Sequence, residues 1–373
     1  MPAASAPEPW LDLPRDVLPA WPARTDYAIG CVGAGFIMRD VQLVAYREAG
    51  LRVAALASRT PSHARAVAEA RGVPSTYDTY HELLAEPSIE IVDIAVPPRV
   101  QAEVVREAVR HPHVRGILAQ KPLAPTLEEA AEIVRTCERA GVPLAVNQNM
   151  RFDHGIRALA KLLARDVLGT PVLATIEMRA VPHWQDYLRG EDRLTLLNMS
   201  IHHLDAFRFL FGPPGRVFAS ARSDPRTTFP HRDGIALYVL EYAGGLRAAA
   251  WDDVWAGPGD GEARNDHIRW RVEGTDGMAQ GTIGWPAFPR RVPSTIDVSS
   301  VHGGGWYRPR WPYAWFPDAF AGPMAALMRA VHDGGPVTEV NGRDNLATMA
   351  LVEACYRSLE RHAAVPLDEI APG

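Results

Sequence analysis

Two short stretches hold residues that could move a proton. In Ala119-Gln120-Lys121-Pro122 a lysine directly follows the short strand expected at 117–120. At a strand end its ammonium can donate to a substrate hydroxyl, or to the oxyanion left when that hydroxyl loses its proton. A lysine in such a place is more often an ordinary surface cation. Pro122 restricts the backbone of Lys121 and makes a cis bond between them accessible. The second stretch is Asn198-Met199-Ser200-Ile201-His202-His203-Leu204-Asp205. A helix starting near Ser200 puts His202 in its first turn, with Asp205 three positions on along the same face. There the positive end of the helix dipole disfavours imidazolium and leaves a neutral ring able to accept a proton. The plainer alternative is one buried, hydrogen-bonded histidine and one exposed. Metal binding is not expected, because His202 and His203 are adjacent and point to different faces of a helix.

A third stretch could bind rather than react. Tyr27 to Val32 is a short apolar run, as in a buried strand, and it ends in Gly33-Ala34-Gly35. Phe36, Ile37, Val41, Val44 and Ala45 then recur at helical spacing. Strand, glycine turn and helix in this order form a dinucleotide-binding context. Gly33 permits the tight turn. Gly35 lets the backbone approach a pyrophosphate seated on the N–H groups that open the helix, those of Phe36 and Ile37. Met38 stands where a third small residue is usual.

Strand and helix patterns alternate over residues 27–148. Strands are expected at 51–57, 89–96, 117–120 and 144–146, and helices at 64–70, 101–109 and, behind a Thr126/Glu129 capping box, up to Gly141. The run at 89–96 must stop at Pro97-Pro98. A repeating βα pattern implies a doubly wound parallel sheet. After about residue 150 the rhythm changes. Helices at 153–163 and 200–210 are followed by strand-like segments at 172–178, 217–221, 235–242, 246–251, 268–273 and 278–283. Turns such as Ala243-Gly244-Gly245 join them. Residues 285–317, rich in Pro, Gly and Trp, read as long loops, and helices at 318–333 and 342–362 follow. The expected fold is α/β. An arm (1–26) and a dinucleotide-binding domain (27–150) precede an α+β domain (151–373) with a large, mostly antiparallel open sheet.

The composition narrows the function. The 373 residues are 47% hydrophobic and 22% charged, with a net charge of -5. That length supports one or two cores, and the mild acidity gives no footprint for nucleic acid or an anionic membrane. No run of 18 apolar residues is present, so no transmembrane helix is expected. Cys31, Cys137 and Cys355 form neither a CxxC pair nor a disulfide framework, which fits a reducing, cytoplasmic setting. The arm holds six prolines and no apolar signal core, so it reads as an uncleaved extension. Trp10, Leu13, Leu18 and Trp21 imply that it packs on something.

Taken together, the glycine turn, the Lys-Pro pair, the Arg151-Phe152 pair and the helix carrying His-x-x-Asp resemble the Gfo/Idh/MocA family over nearly all of residues 27–362. The family is named for glucose-fructose oxidoreductase and inositol dehydrogenase. The resemblance implies an N-terminal Rossmann domain. It also implies an NAD(P)-dependent oxidoreductase acting on a hydroxyl or carbonyl of a sugar, polyol or cyclitol. Lys121 would bind the reacting oxygen and His202 would exchange its proton. Arg151, Asn198 and Asp205 would meet the substrate, and Pro97, Gln120 and Lys121 would border the cofactor. Two positions depart from the family pattern. Gln120 stands where Glu is usual before Lys-Pro, and Asn198 where Asp opens the catalytic helix, so two carboxylates are missing. A sugar lyase or glycosidase that oxidises transiently with tightly held NAD is the first alternative, and a non-catalytic sugar or dinucleotide sensor the second.

The second strand ends Leu56-Ala57-Ser58-Arg59-Thr60 with no carboxylate. A carboxylate there would bond a ribose 2′-hydroxyl and repel a 2′-phosphate, whereas Ser58 and Arg59 favour the phosphate, so NADP is expected over NAD. Seven tryptophans (251, 255, 270, 285, 306, 311 and 315) crowd the later part of the chain. They suit either stacking on a sugar, with Asp252 and Asp253 as polar contacts, or a subunit interface. A homodimer or homotetramer through the second sheet is expected.

Overall fold

The computed structural model describes residues 10–12, 15–179, 185–255, 265–285 and 287–370. The chain divides into two compact units, and the division is not a single cut near residue 150. One unit comprises residues 19–149, 317–353 and 370–373. The other comprises 1–18, 150–316 and 354–369.

The first unit is built on a six-stranded parallel sheet. Its strands are β1 (Ile29–Val32), β2 (Val53–Ala57), β3 (Ser75–Tyr77), β4 (Ile91–Ile94), β5 (Gly116–Ala119) and β6 (Leu144–Val146). They lie in the order β3-β2-β1-β4-β5-β6, so the winding reverses between β1 and β4, where such sheets bind ligands beyond their strand ends. The crossing helices are α1 (a π-helical stretch, Ile37–Gln42, continued by Leu43–Glu48), α2 (Pro61–Arg71), α3 (Tyr80–Ala85), α4 (Pro98–Ala108) and α5 (Leu127–Ala140). Both faces of β1 and β4 are buried, which is why their sequences read as apolar runs rather than alternations.

Thr126 caps α5 by accepting from the Glu129 amide, half of the expected box. The full reciprocal box sits at Thr79 and Glu82 on α3, an element absent from the sequence reading along with β3. Helix α8 (Ala321–Asp333), expected in the second domain, packs on β5 and β6 of this sheet. Helix α9 (Gly342–Arg361) is divided between the units after residue 353.

The second unit carries α6 (His154–Ala164) and α7 (a π-helical stretch, Leu196–Ser200, continued by Ile201–Phe211). Its strands are β7 (Pro171–Arg179), β8 (Arg216–Arg222), β9 (Ile235–Glu241), β10 (Arg247–Asp253), β11 (His267–Gly274), β12 (Gly277–Thr282), β13 (Thr295–Ser300), β14 (Trp306–Tyr307) and β15 (Val365–Pro366). They form one sheet in the order β14-β13-β12-β11-β7-β10-β9-β8-β15, antiparallel except where β10 runs parallel to β7. Strands β13 and β14 lie inside the segment that reads as loop. Asp153 caps α6, accepting from Gly155 and Ile156, at about 1 kcal/mol for such a cap.

One sheet face is covered and the other open. Phe218, Leu237, Val239 and Trp251 project from neighbouring strands of the open face. The tryptophan cluster is mostly core: Trp270, Trp285, Trp311 and Trp315 are buried, and Trp251 and Trp306 are exposed. Up to residue 18 the arm belongs to this unit, with the Trp10 ring edge-on to Tyr307, and Arg165 donating to the Trp10 carbonyl and to Asp16; from residue 19 it belongs to the other. Leu13 lies outside the described residues.

Candidate active site

In the first unit the candidate residues collect at the carboxyl ends of β1, β2, β4 and β5. Gly33 follows β1 with φ +105, and a Cβ there would lie 2.2 Å from the Ala95 carbonyl oxygen. Only glycine satisfies both conditions, and the contact fixes the turn against the exit of β4. Gly35 is exposed, and a Cβ there would meet nothing within 4 Å, so its surface is open to a ligand. Its carbonyl accepts from the Arg39 amide as the helix begins at Phe36 and Ile37. These groups fit a pyrophosphate: bare backbone, a tight turn and a helix start. At the end of β2, Ser58 is half-buried and Arg59 exposed. Pro97 is the N-cap of α4.

Lys121 leaves β5 through a cis bond to Pro122. The loop is held from behind by Gln101 of α4. Its Oε1 accepts from the Gln120 amide at 2.7 Å, and its Nε2 donates to the carbonyls of Gln120, Pro122 and Leu123. Lys121 is half-buried, and loss of solvation pushes its ammonium down from 10.5 to about 7. At neutral pH such a group holds and exchanges a proton easily, unlike a solvated lysine.

In the second unit the candidates ride on α7. The expected start near Ser200 is corrected: the helix opens at Leu196 with a π-helical stretch. His202 therefore sits well past the first turn, beyond the reach of the dipole argument. The start is fastened from a distance. Asp233, just before β9, accepts from the amides of Leu194 and Leu196 at 2.8 and 2.7 Å, and from the Tyr356 hydroxyl at 2.9 Å. Asn198 is buried, and its Nδ2 donates to the carbonyls of Arg193 and Leu194. His202 is buried with its ring edge-on to Trp315, centroids 5.2 Å apart.

His203 is buried too, contrary to the alternative that leaves one histidine exposed. Its Nδ1 lies 2.9 Å from Asp252, which also accepts from Ser200 and Tyr238. Asp252 is thus an interior anchor of α7 rather than a sugar contact, while Asp253 pairs with Arg226 at 2.7 Å. Arg151 and Asp205 meet each other. Nε and Nη2 of Arg151 donate to the two carboxylate oxygens at 2.6 and 2.7 Å, both side chains being buried. In buried form such a bidentate pair fixes geometry strongly.

Gln42, Asp93 and Gln101 behind Lys121, and Asp233 behind α7, are buried supports that the sequence reading missed. Asp93 inside an apolar run, and Gln42 and Gln101 on the buried faces of helices, carried a signal, a polar residue among apolar ones; Asp233, in the loop before β9, carried none. Among the described residues no group of His, Cys, Asp and Glu could hold a metal. Nor is any helix long and apolar enough to cross a membrane.

Comparison with known proteins bears on the family and the fold. Residues 27–148 match the model of an oxidoreductase family with an NAD-binding Rossmann fold. Residues 156–280 match that of the GFO/IDH/MocA C-terminal domain. The chain is 30% identical over 352 residues to a D-apiose dehydrogenase of Paraburkholderia graminis, covering 91% of this chain and 89% of that one. It is 30% identical over 324 residues to an NADP(+) D-xylose 1-dehydrogenase of Haloferax volcanii, covering 84% and 92%. An oxidoreductase from Agrobacterium radiobacter, solved with NAD+, L-tartaric acid and magnesium, superposes with a TM-score of 0.78 at 25% identity. The match covers 93% of this chain and 100% of that one. With its Rossmann domain, its open-sheet second domain and these matches, the chain belongs to the Gfo/Idh/MocA family of NAD(P)-dependent oxidoreductases.

Proposed function

We propose that this protein is an NAD(P)-dependent dehydrogenase that interconverts a hydroxyl and a carbonyl on a sugar, polyol or cyclitol. The observation that carries the reading is the desolvated Lys121 at a strand end of the dinucleotide-binding sheet, its ammonium pushed down to about 7. Relatives named for apiose, xylose and myo-inositol support the substrate class. When bound, the nicotinamide supplies the hydride acceptor or donor. Gly33, Gly35, Phe36 and Ile37 would hold the pyrophosphate, and Pro97, Gln120 and Lys121 would border the ring end.

Lys121 donates to the reacting oxygen and stabilises its developing negative charge. His202 takes the proton in oxidation and returns it in reduction. Asn198 orients substrate, and the Arg151–Asp205 pair keeps one wall of the substrate subsite rigid. NADP is preferred over NAD, supported by the exposed Arg59, by Ser58 and by the lack of a carboxylate at the end of β2. The apolar patch of Phe218, Leu237, Val239 and Trp251 supports a homodimer or homotetramer through the open sheet face. Three buried free thiols suit a cytoplasmic setting.

The test is turnover of a panel of aldoses, polyols and cyclitols with NADP and with NAD, followed by reduced-nicotinamide absorbance. Substrate-dependent reduction is expected. Saturable sugar binding without turnover with either dinucleotide would leave the fold as a sensor and end this reading.

A further inference from the structure

Behind Lys121 runs a line of buried polar side chains, two of which, Asp93 and Gln42, have no part in the roles proposed above. Asp93 on β4, Gln42 at the end of the π-helical stretch of α1 and Gln120 after β5 come from separate elements, and all are buried. Gln42 Nε2 donates to Asp93 Oδ2 at 2.7 Å, and the Tyr46 hydroxyl donates to the same oxygen at 2.7 Å. Gln120 Nε2 donates to Gln42 Oε1 at 3.0 Å, and Gln120 Oε1 accepts from the Lys121 amide at 3.3 Å.

An amide side chain has one donor end and one acceptor end. The Asp93 oxygen is an acceptor, so it turns the NH2 of Gln42 toward itself. That leaves the Gln42 carbonyl facing residue 120, which must then present a donor. Gln120 does so, and its own carbonyl is left for Lys121. The string therefore has one polarity, and the acid at its far end dictates the side chain beside the lysine.

We infer that Asp93 is a positioning residue for Lys121. Acting through Gln42, it fixes the orientation of residue 120 and makes the site require an amide there rather than a carboxylate. The inference rests on the assignment of Lys121 as the group that holds the reacting oxygen. The string also joins the helix that opens the glycine turn to the lysine loop. The groups facing Asp93 are Gln42 and the Tyr46 phenol from α1 and the Cys31 thiol from β1. Burial holds both phenol and thiol protonated. Gln120 faces Gln42 and Gln101, neither of which titrates. Burial pushes Asp93 up to about 7 despite its two donors, as expected of a carboxyl with no cation beside it.

The experiment compares the unmodified protein, Gln120→Glu, Asp93→Asn and the double variant. In Gln120→Glu an acceptor meets the Gln42 carbonyl. The value of kcat/KM should fall about ten-fold or more, and the alkaline limb of its pH profile should move up, because an added anion favours the ammonium. Asp93→Asn keeps an oxygen for Tyr46 and Gln42 and should cost about three-fold or less. In the double variant the amide introduced at position 93 can offer its NH2 to Gln42, which then turns its own NH2 to the new carboxylate. The string runs in reverse with every donor matched, and most of the lost kcat/KM should return.

Urea unfolding of the same four proteins reads the coupling without turnover. Coupling in unfolding alongside a fully active Lys121→Ala would sink the lysine assignment and leave the string standing. Equal cost of Gln120→Glu in both backgrounds, by unfolding and by kcat/KM, overturns the string itself. Should Gln120→Glu fail to fold, a folded, dinucleotide-binding double variant is the rescue, and a double variant that also fails contradicts it.

Discussion

Replacing Lys121 by Met keeps most of the stem and removes the ammonium. In the unfolded chain a lysine titrates near 10.5, and in the folded protein burial pushes Lys121 down to about 7. Between those values the unfolded state binds the extra proton, so stability rises with pH there. Below about 7 the full penalty of burying the charge is present. A shift of that size has a ceiling of about 5 kcal/mol. The side chain is only half-buried, so water reaching the ammonium reduces it, and about 1–2 kcal/mol is the expected net effect. Lys121→Met should therefore be the more stable protein by that amount at low pH, the gap closing as pH rises toward 10.5. Urea unfolding of both proteins across this range measures it. Asp93, Asp153 and His154, also shifted by burial, occur in both proteins and cancel. The same substitution should cost about a hundred-fold or more in kcat/KM while leaving dinucleotide affinity nearly intact. A variant less stable than its parent at low pH, or a gap that widens with pH, would refute the desolvated lysine.

Arg59→Ala should raise KM for NADP about ten-fold or more while changing that for NAD about two-fold at most; equal effects on both would remove Arg59 from the 2′-phosphate. Gly33→Ala drives a methyl into the Ala95 carbonyl at a φ of +105. It should cost about 2 kcal/mol or more in unfolding and weaken dinucleotide binding, and unchanged binding would exclude the turn as the cofactor cradle. Trp251→Glu puts a charge opposite Leu237 on the open sheet face. A drop in mass by light scattering is expected, and an unchanged mass would place any subunit contact elsewhere.

The parallel sheet was legible because its strands are buried on both faces and stand out as apolar runs closed by Gly33, Pro97 and Pro122. Strand β3, Ser-Thr-Tyr with its first residue exposed, carries no such signal, and α3 is only six residues long. The two strands between residues 295 and 307 hide among prolines and glycines, since their identity comes from pairing with β12 and with each other. Helix α8 shows its apolar face in the sequence, but nothing in that face says which sheet it covers. The candidate residues were legible at strand ends, where type and position coincide. Their supports were not. Asp93, Gln42 and Gln120 are far apart in the chain, and only the fold shows that each amide settles the orientation of the next. The π-helical start of α7 was equally hidden, because Asp233, which fastens it, is over thirty positions away. Gln120 and Asn198, read as lost carboxylates, sit among buried hydrogen bonds: Gln120 on Gln42, which Asp93 holds, and Asn198 on the carbonyl of Leu194, whose amide Asp233 holds.

The pH dependence of kcat/KM for sugar or polyol oxidation tests most directly the assignment of proton transfer to Lys121 and His202, because it reports the essential acid and base of the free enzyme. With Lys121 required as the ammonium, turnover should fall through an alkaline limb at about 7. That limb should vanish in Lys121→Met, and His202→Ala should lose about a hundred-fold or more at every pH. An alkaline limb unchanged in Lys121→Met, or full activity in His202→Ala, would contradict it.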